Sequence, residues 1–236
     1  MKPALPCIVT AGLLAGLFLT PSLSTPDVSR ADGGIDLAPV AFEIHDNKVV
    51  PQEDFAVLVR VLGSAITDGA GPMPVTTRLT IGGERAEPWG SFGAPDAGNV
   101  NVPGVRPDHV VPVDYAAGTT VTVAGRSWHR DGSGVNIFAD SALPLEQVWV
   151  LRNGDAVPSV PGFEDQASLS RYVSQYVENG RVSLHVNQII YLYELGTLDL
   201  SSPAADFQDL VVLVTLGESV EALEEHLDEG PFQAYD

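Results

Sequence analysis

Four acidic residues near the C-terminus form the strongest candidate for a chemical site. Glu194 ends one apolar run, Asp199 lies in the loop that follows, and Asp206 and Asp209 stand just before a second apolar run. Carboxylate oxygens gathered at the joint between two strands are the hard ligands that calcium takes, about six to eight of them at flexible geometry. The pattern therefore predicts calcium as a cofactor, with these four acids as metal ligands and loop carbonyls completing the shell.

The same acids also have an interpretation without a metal. Asp206 and Asp209 are three positions apart, so they do not share a face of an ideal strand and converge only if Asp206 is still in the turn. Otherwise Asp206 caps the turn through its own backbone, and Asp209 is an acid at the strand edge. Both interpretations stay open at this point.

This segment resembles the C-terminal signature of a bacterial exported domain family of unknown function, also seen in uncharacterised planctomycete-like exoproteins. The signature has a Phe-Glu-Asp strand end, a short acidic loop and an Asp-Phe-Asn-Asp run that enters an apolar strand. Tyr193-Glu194 matches the strand end and Asp206–Asp209 matches the later run, with Leu195 in place of an acid and Gln208 in place of asparagine. The resemblance implies an exported, largely β protein and calcium binding at these residues.

Two tryptophans support a different function. Trp89 lies in a long loop over residues 87–107, and Trp128 leaves a threonine-valine strand just before a basic residue pair. Carbohydrate-binding modules use exposed aromatic rings as stacking platforms. The alternative prediction is therefore a carbohydrate-binding module with Trp89 and Trp128 as ligand-binding residues, although a tryptophan in such a position more often covers a core.

Catalytic motifs are missing from the sequence. It has no G-x-S-x-G nucleophile elbow, no H-E-x-x-H, no phosphate-binding loop and no paired-glycine dinucleotide fingerprint, and its five histidines have no metal-ligand spacing. We therefore predict a non-enzymatic structural or interaction module, with no catalytic residues. A secreted hydrolase of unidentified type stays as a third alternative, since paired carboxylates meet only in space.

Charge excludes two classes of partner. The chain has 12 basic and 31 acidic residues and a net charge of −19. Such a chain neutralises a phosphate backbone poorly, which excludes nucleic acid, and anionic membrane surfaces are excluded on the same grounds. Acidity suits solubility outside the cell and divalent cations. The predicted partner is an extracellular or cell-surface component, polysaccharide included.

The N-terminus has the order of a secretory signal peptide. Lys2 is followed by the apolar run Ile8–Leu19, a proline and small residues near Ser24. We predict a signal peptide over residues 1–24, secretion of the mature protein and no stable membrane span after cleavage. Cys7 is the only cysteine, so the exported protein would have no disulfide.

Hydrophobic patterning predicts an all-β fold. Apolar residues alternate in Phe55–Leu62, which is typical of a half-buried antiparallel strand, whereas Leu210–Leu216 is apolar on both faces and predicts a central strand. Asn153-Gly154 predicts a hairpin between the strands on either side of it. The predicted fold is an antiparallel β-sandwich, or a jelly-roll-like variant of it.

Four segments make up the predicted organisation. The signal peptide is followed by a disordered linker at residues 25–36, a single β-domain at residues 37–217 and an acidic helix or tail at residues 218–236. One helix inserted at residues 165–178 is predicted from apolar positions at helical spacing. Helical spacing of apolar residues also predicts the short C-terminal helix.

Overall fold

The computed structural model describes residues 37–157 and 172–229. Within these ranges the chain consists mainly of antiparallel strands. In chain order they are β1 (Phe42–His45), β2 (Lys48–Pro51), β3 (Phe55–Gly63), β4 (Val75–Ile81), β5 (Glu84–Ala86), β6 (Asp108–Tyr115), β7 (Val121–Trp128), β8 (Val135–Asp140), β9 (Val148–Arg152), β10 (Val177–Glu178), β11 (Arg181–Val182), β12 (Gln188–Tyr193) and β13 (Leu210–Gly217). The helices are α1 (Pro95–Gly98), α2 (Val220–Glu229) and a 3-10 helix at Ser174–Tyr176.

The strands form two large antiparallel sheets. The six-stranded sheet has the order β1-β2-β7-β4-β5, and β8 also pairs with β7. The five-stranded sheet has the order β6-β3-β13-β12-β9, while β10 and β11 pair with each other. The prediction of an all-β, sandwich-like antiparallel fold is confirmed.

The main core contains side chains from both large sheets, because their strands direct alternate apolar residues inward. In β3, Val57 and Val59 belong to this core, whereas Ala56 and Leu58 face the opposite side of the sheet. The alternation that the sequence shows in this strand is therefore the alternation of its two packed faces. The six-stranded sheet contributes Val75, Leu79, Ile81, Val121 and Val123 to the main core.

The five-stranded sheet is covered on both faces, and β13 is buried along its whole length. Beyond the main core, Leu223 and Leu227 of α2 pack on the β3 side of its second face. Val173, Val182 and Leu184 pack on the β12 and β13 side. The prediction of a central strand covered on both sides is confirmed, and the run of apolar residues on both faces is explained by these two layers.

Both predicted helices have a structural outcome where the chain is described. The C-terminal helix is confirmed as α2, which begins after Ser219, whose hydroxyl oxygen accepts a hydrogen bond from the N–H of Ala222 at 3.2 Å. The helix predicted over 165–178 falls mostly on residues outside the described ranges. Of its described part, residues 172–173 are α-helical and Ser174–Tyr176 form a 3-10 helix. Residues 177–178 form β10, so the prediction of helix at those two residues is wrong.

The segments predicted at the two ends lie outside the described residues. These are the signal peptide (1–24), the linker (25–36) and the last part of the acidic tail (230–236). All of the described residues belong to one compact unit.

We predict that Leu223→Ala lowers the free energy of unfolding by about 2–5 kcal/mol, because it empties a fully buried site between α2 and β3. Glu224→Ala is the matched control, since Glu224 is exposed on the same helix and its replacement changes stability by about 0.5 kcal/mol or less. Urea unfolding measures both. Equal losses in the two variants would contradict the packing of α2 on the sheet.

Candidate functional site

The register of two neighbouring strands brings the predicted acids together. β12 pairs with β13, and the last pair before the connecting loop is Tyr193 with Leu210. The next residues outward are therefore Glu194 and Asp209, one at the end of each strand. The loop between them carries Asp206, and all three acids are buried. We call Glu194, Asp206 and Asp209 the carboxylate cluster.

The carboxylate of Glu194 organises the loop by accepting hydrogen bonds from the N–H groups of the loop backbone. Its Oε1 accepts hydrogen bonds from the N–H groups of Gly196 and Thr197, both at 2.9 Å. Its Oε2 accepts from the N–H groups of Asp206 at 2.9 Å and Phe207 at 3.3 Å. One buried side chain therefore holds both the beginning and the end of the connection, which explains why an acid is needed where an apolar strand ends.

The other two acids accept hydrogen bonds as well. Asp209 Oδ2 accepts from the N–H of Leu195 at 2.6 Å, which ties the start of β13 to the residue after β12. Asp206 accepts from the N–H and the side-chain amide of Gln208, at 3.1 Å and 2.6 Å. Each of the three acids has a carboxylate oxygen that lies within 4.8 Å of those of the other two. Both sequence interpretations are thus partly realised, because Asp206 caps its own turn and also converges with Asp209.

Burial concentrates negative charge in the cluster. Burial, with the neighbouring carboxylate of Glu194, raises the pKa of Asp209 well above its usual range. Backbone N–H groups donate to Glu194 and to Asp209, and a side-chain hydrogen bond between the two acids also raises the pKa of Asp209. Within the described residues, neither acid forms a salt bridge with a lysine or arginine. Either a proton on Asp209 or a bound cation relieves this repulsion.

A strained residue sits beside the cluster. Phe207 is fully buried and has a φ of +56°, a conformation that bulky side chains rarely adopt. Its ring stacks on Trp149 with centroids 4.3 Å apart, and its N–H points to Glu194. The stacking and the hydrogen bond together keep the backbone in this conformation, which turns the chain into β13.

Asp199 does not join the cluster. Its carboxylate is exposed and accepts from the N–H of Ser201 at 3.0 Å and from the Ser201 hydroxyl at 2.6 Å. The prediction of Asp199 as a fourth ligand is corrected on this point, because a local turn fixes the side chain on the loop surface.

The two tryptophans of the carbohydrate alternative are buried. Trp89 is 8% exposed, and its indole N–H donates to the carbonyl of Arg106 at 2.9 Å. Trp128 is 7% exposed and donates to the hydroxyl of Thr76 at 3.0 Å. Both residues anchor the loop and the sheet with their polar atoms satisfied, so the prediction that they form exposed stacking platforms is wrong.

Sequence reasoning missed one group of residues that the fold brings together. Arg78 of β4 and Arg126 of β7 both lie against the ring of Phe92, with guanidinium carbons 4.5 Å and 4.2 Å from the ring centroid. The available signal in the sequence was one arginine on the outward face of each strand, where other outward positions carry threonine. The ring comes from a loop distant in sequence, and no local pattern indicates that contact.

Comparisons with known proteins add no assignment. No family model matches the chain, and searches of curated proteins and of solved structures found no significant similarity. The resemblance to an exported domain family therefore stays a prediction. Among the described residues, no helix has the length and apolar character needed to cross a membrane.

We predict that Glu194→Gln lowers the free energy of unfolding by about 2 kcal/mol or more, because the amide replaces an acceptor oxygen with a donor that faces backbone N–H groups. Asp199→Asn is the control, since this acid is exposed and its replacement costs less than about 1 kcal/mol. Chemical unfolding in EDTA measures both effects. A Glu194 variant as stable as the control would contradict the role of Glu194 in holding the loop.

Asp209 gives the metal-free protein a distinctive pH dependence. Because the pKa of Asp209 is raised in the folded protein, folding takes up a proton at pH values between the unfolded and the folded pKa. The stability that this proton contributes falls as pH rises through the folded pKa. Asp209→Asn removes the titrating group. Relative to this variant, wild-type protein in EDTA should lose stability as pH rises from the usual aspartate pKa through the folded pKa of Asp209. Urea unfolding at stepped pH measures this difference. A difference that does not change with pH would contradict the raised pKa.

Proposed function

We propose that this chain is a non-enzymatic, exported structural or interaction module that binds calcium at Glu194, Asp206 and Asp209. The observation that carries the proposal is the convergence of three buried carboxylates, with oxygens within 4.8 Å of one another, at the joint of two strands. Buried charges of one sign are costly unless they are compensated, and a divalent cation compensates them directly.

The donor set fits a hard cation. Calcium takes oxygen ligands at flexible geometry, and the carboxylates of the cluster offer oxygen atoms within 4.8 Å of one another. Magnesium requires near-ideal octahedral geometry and keeps several waters, which suits a crowded joint less well. The three acids are also the residues that match the exported family signature, from which calcium binding is the expected property.

Calcium at this place would stabilise the connection between β12 and β13. The cluster holds both ends of the loop and the strained backbone at Phe207. An ion that adds ligand bonds here raises the free energy of unfolding, because it binds the folded chain and not the unfolded one.

Export supports the same proposal. The signal-like N-terminus contains Cys7, the only cysteine of the chain, so the exported protein would have no disulfide. Calcium sites of extracellular modules have dissociation constants of roughly 10⁻⁴–10⁻³ M, so calcium at millimolar concentration outside the cell would fill them. A cation is then the available cross-link for a loop that a disulfide does not close.

Thermal melting with EDTA and with saturating calcium tests the proposal. Calcium at about 100 times its dissociation constant adds about 2.7 kcal/mol, which raises Tm by about 5–10 °C for a domain of this size. Magnesium at the same concentration should give a smaller shift. Identical melts in EDTA and in calcium would reject a stabilising calcium site.

Two asparagine variants locate the ion. Asp209→Asn preserves the size of the side chain and an acceptor oxygen for Leu195, yet it should lose most of the calcium-dependent shift in Tm. Asp199→Asn changes the net charge equally and should retain the full shift, because Asp199 lies outside the carboxylate cluster. Loss of the shift in both variants, or in neither, would place calcium elsewhere.

A further inference from the structure

A pair of arginines lies on the outer face of the six-stranded sheet. In the pairing of β4 with β7, Thr76 is opposite Arg126 and Arg78 is opposite Ala124. Arg78 and Arg126 are therefore diagonal neighbours on the same face. We call these two residues the arginine pair.

Aromatic rings surround the arginine pair. Both guanidinium groups lie against Phe92, and that of Arg126 is also 5.3 Å from the ring centroid of Trp128 and 5.5 Å from that of Phe138. Stacking on rings stabilises a guanidinium group but satisfies none of its N–H donors. The rings therefore orient the two groups and leave their hydrogen bonding unfinished.

The donors of the pair have few acceptors. Within the described residues, Arg126 donates a single hydrogen bond, from Nη1 to the carbonyl of Phe92 at 3.3 Å. Arg78 forms a salt bridge with Asp140, whose Oδ2 lies 3.6 Å from Nη2. The Nε atoms of both arginines are buried without an acceptor. Unsatisfied donors of this kind are rare in folded proteins. A ligand from solvent would meet the terminal nitrogens of the guanidinium groups, because the Nε atoms are buried.

The two neighbouring carboxylates, Asp140 and Glu87, partly balance the charge of the pair and also bond to backbone N–H groups. Asp140 Oδ1 accepts from the N–H of Ala142 at 2.8 Å, and Glu87 Oε2 accepts from the N–H of Phe92 at 3.1 Å. Burial, followed by the positive charge of Arg78, lowers the pKa of Arg126. The like charges of the pair are thus held close together in a chain whose net charge is −19.

An apolar border adjoins the pair. Phe138 of β8 lies directly opposite Arg126 in the sheet and is 37% exposed. Val135 of the same strand is 40% exposed. A ligand that reaches the arginine pair from solvent therefore meets an aromatic ring and an apolar side chain beside it.

We infer that the arginine pair, with Phe138, binds the carboxylate or sulfate group of an acidic saccharide. The planar fork of a guanidinium group donates two parallel N–H bonds to two oxygens of a carboxylate or sulfate, and an exposed phenyl ring accepts the apolar face of a sugar ring. The chain as a whole repels anions, but salt screens this repulsion beyond about 8 Å at physiological ionic strength. Only charges close to the arginine pair therefore act on the ligand. Short acidic oligosaccharides are therefore the ligands of choice. The inference is independent of calcium binding.

Calorimetric titration of the whole exported chain with three oligosaccharides of equal length tests the inference. The probes are an oligogalacturonate, a sulfated galactan oligosaccharide and a neutral galactan oligosaccharide. The inference predicts binding of at least one charged probe and none of the neutral one, and the two charged probes distinguish a carboxylate from a sulfate ligand. Binding of the neutral probe with equal affinity, or of no probe at all, would overturn it.

Variants assign binding to the arginine pair. Arg126→Gln and Arg78→Gln should each weaken binding by tenfold or more, whereas Arg152→Gln removes the same charge from the other sheet and should leave the affinity unchanged. Arg126→Lys retains the positive charge but not the planar fork of donors. It should therefore weaken binding several-fold although the charge of the site is unchanged. Thermal melting checks that each variant is folded. Equal affinities in Arg126→Lys, Arg152→Gln and wild-type protein would refute the arginine pair as the site.

Discussion

The fold around the candidate site depends on one carboxylate that accepts four backbone hydrogen bonds. Glu194 binds two N–H groups directly after β12 and two directly before β13, so the loop closes on a single side chain. Charge-assisted bonds of this kind are stronger than neutral ones, and in a buried place water does not replace them. The left-handed backbone of Phe207 and the entry into β13 follow from this closure.

The same constraint creates an electrostatic problem. The pairing of β12 with β13 places Asp209 beside Glu194 whatever else the loop does, because the two residues extend the last cross-strand pair. A proton on Asp209 and a bound cation would each add positive charge to the joint. The proton does so at lower pH, and a cation would do so at higher pH, where the carboxylate is ionised. Asp206 adds a third carboxylate to the joint, and this convergence is the basis for proposing a cation there.

Sequence patterns predicted what local spacing determines. The alternation in β3, the doubly covered β13 and the acidic helix α2 each depend on residues within one element. Tertiary partners were not predictable in this way. The turn at Asn153-Gly154 forms, with Gly154 at a φ of +86°, but Ala156 after it pairs with Arg181. The rest of the second strand predicted for this hairpin lies outside the described residues. Burial of the tryptophans and the stacking of arginines on Phe92 depend on a loop whose path the sequence does not show.

The two candidate sites are on different sheets, yet one residue connects their surroundings. Leu195 donates its N–H to Asp209 and accepts, at its carbonyl, a hydrogen bond of 2.7 Å from the buried hydroxyl of Ser127. Ser127 stands next to Arg126 in β7. The closed loop therefore also restrains the strand that presents Arg126, because the buried hydroxyl of Ser127 in that strand donates to the Leu195 carbonyl. Order at the carboxylate cluster is a condition for a well-defined outer face on the other sheet.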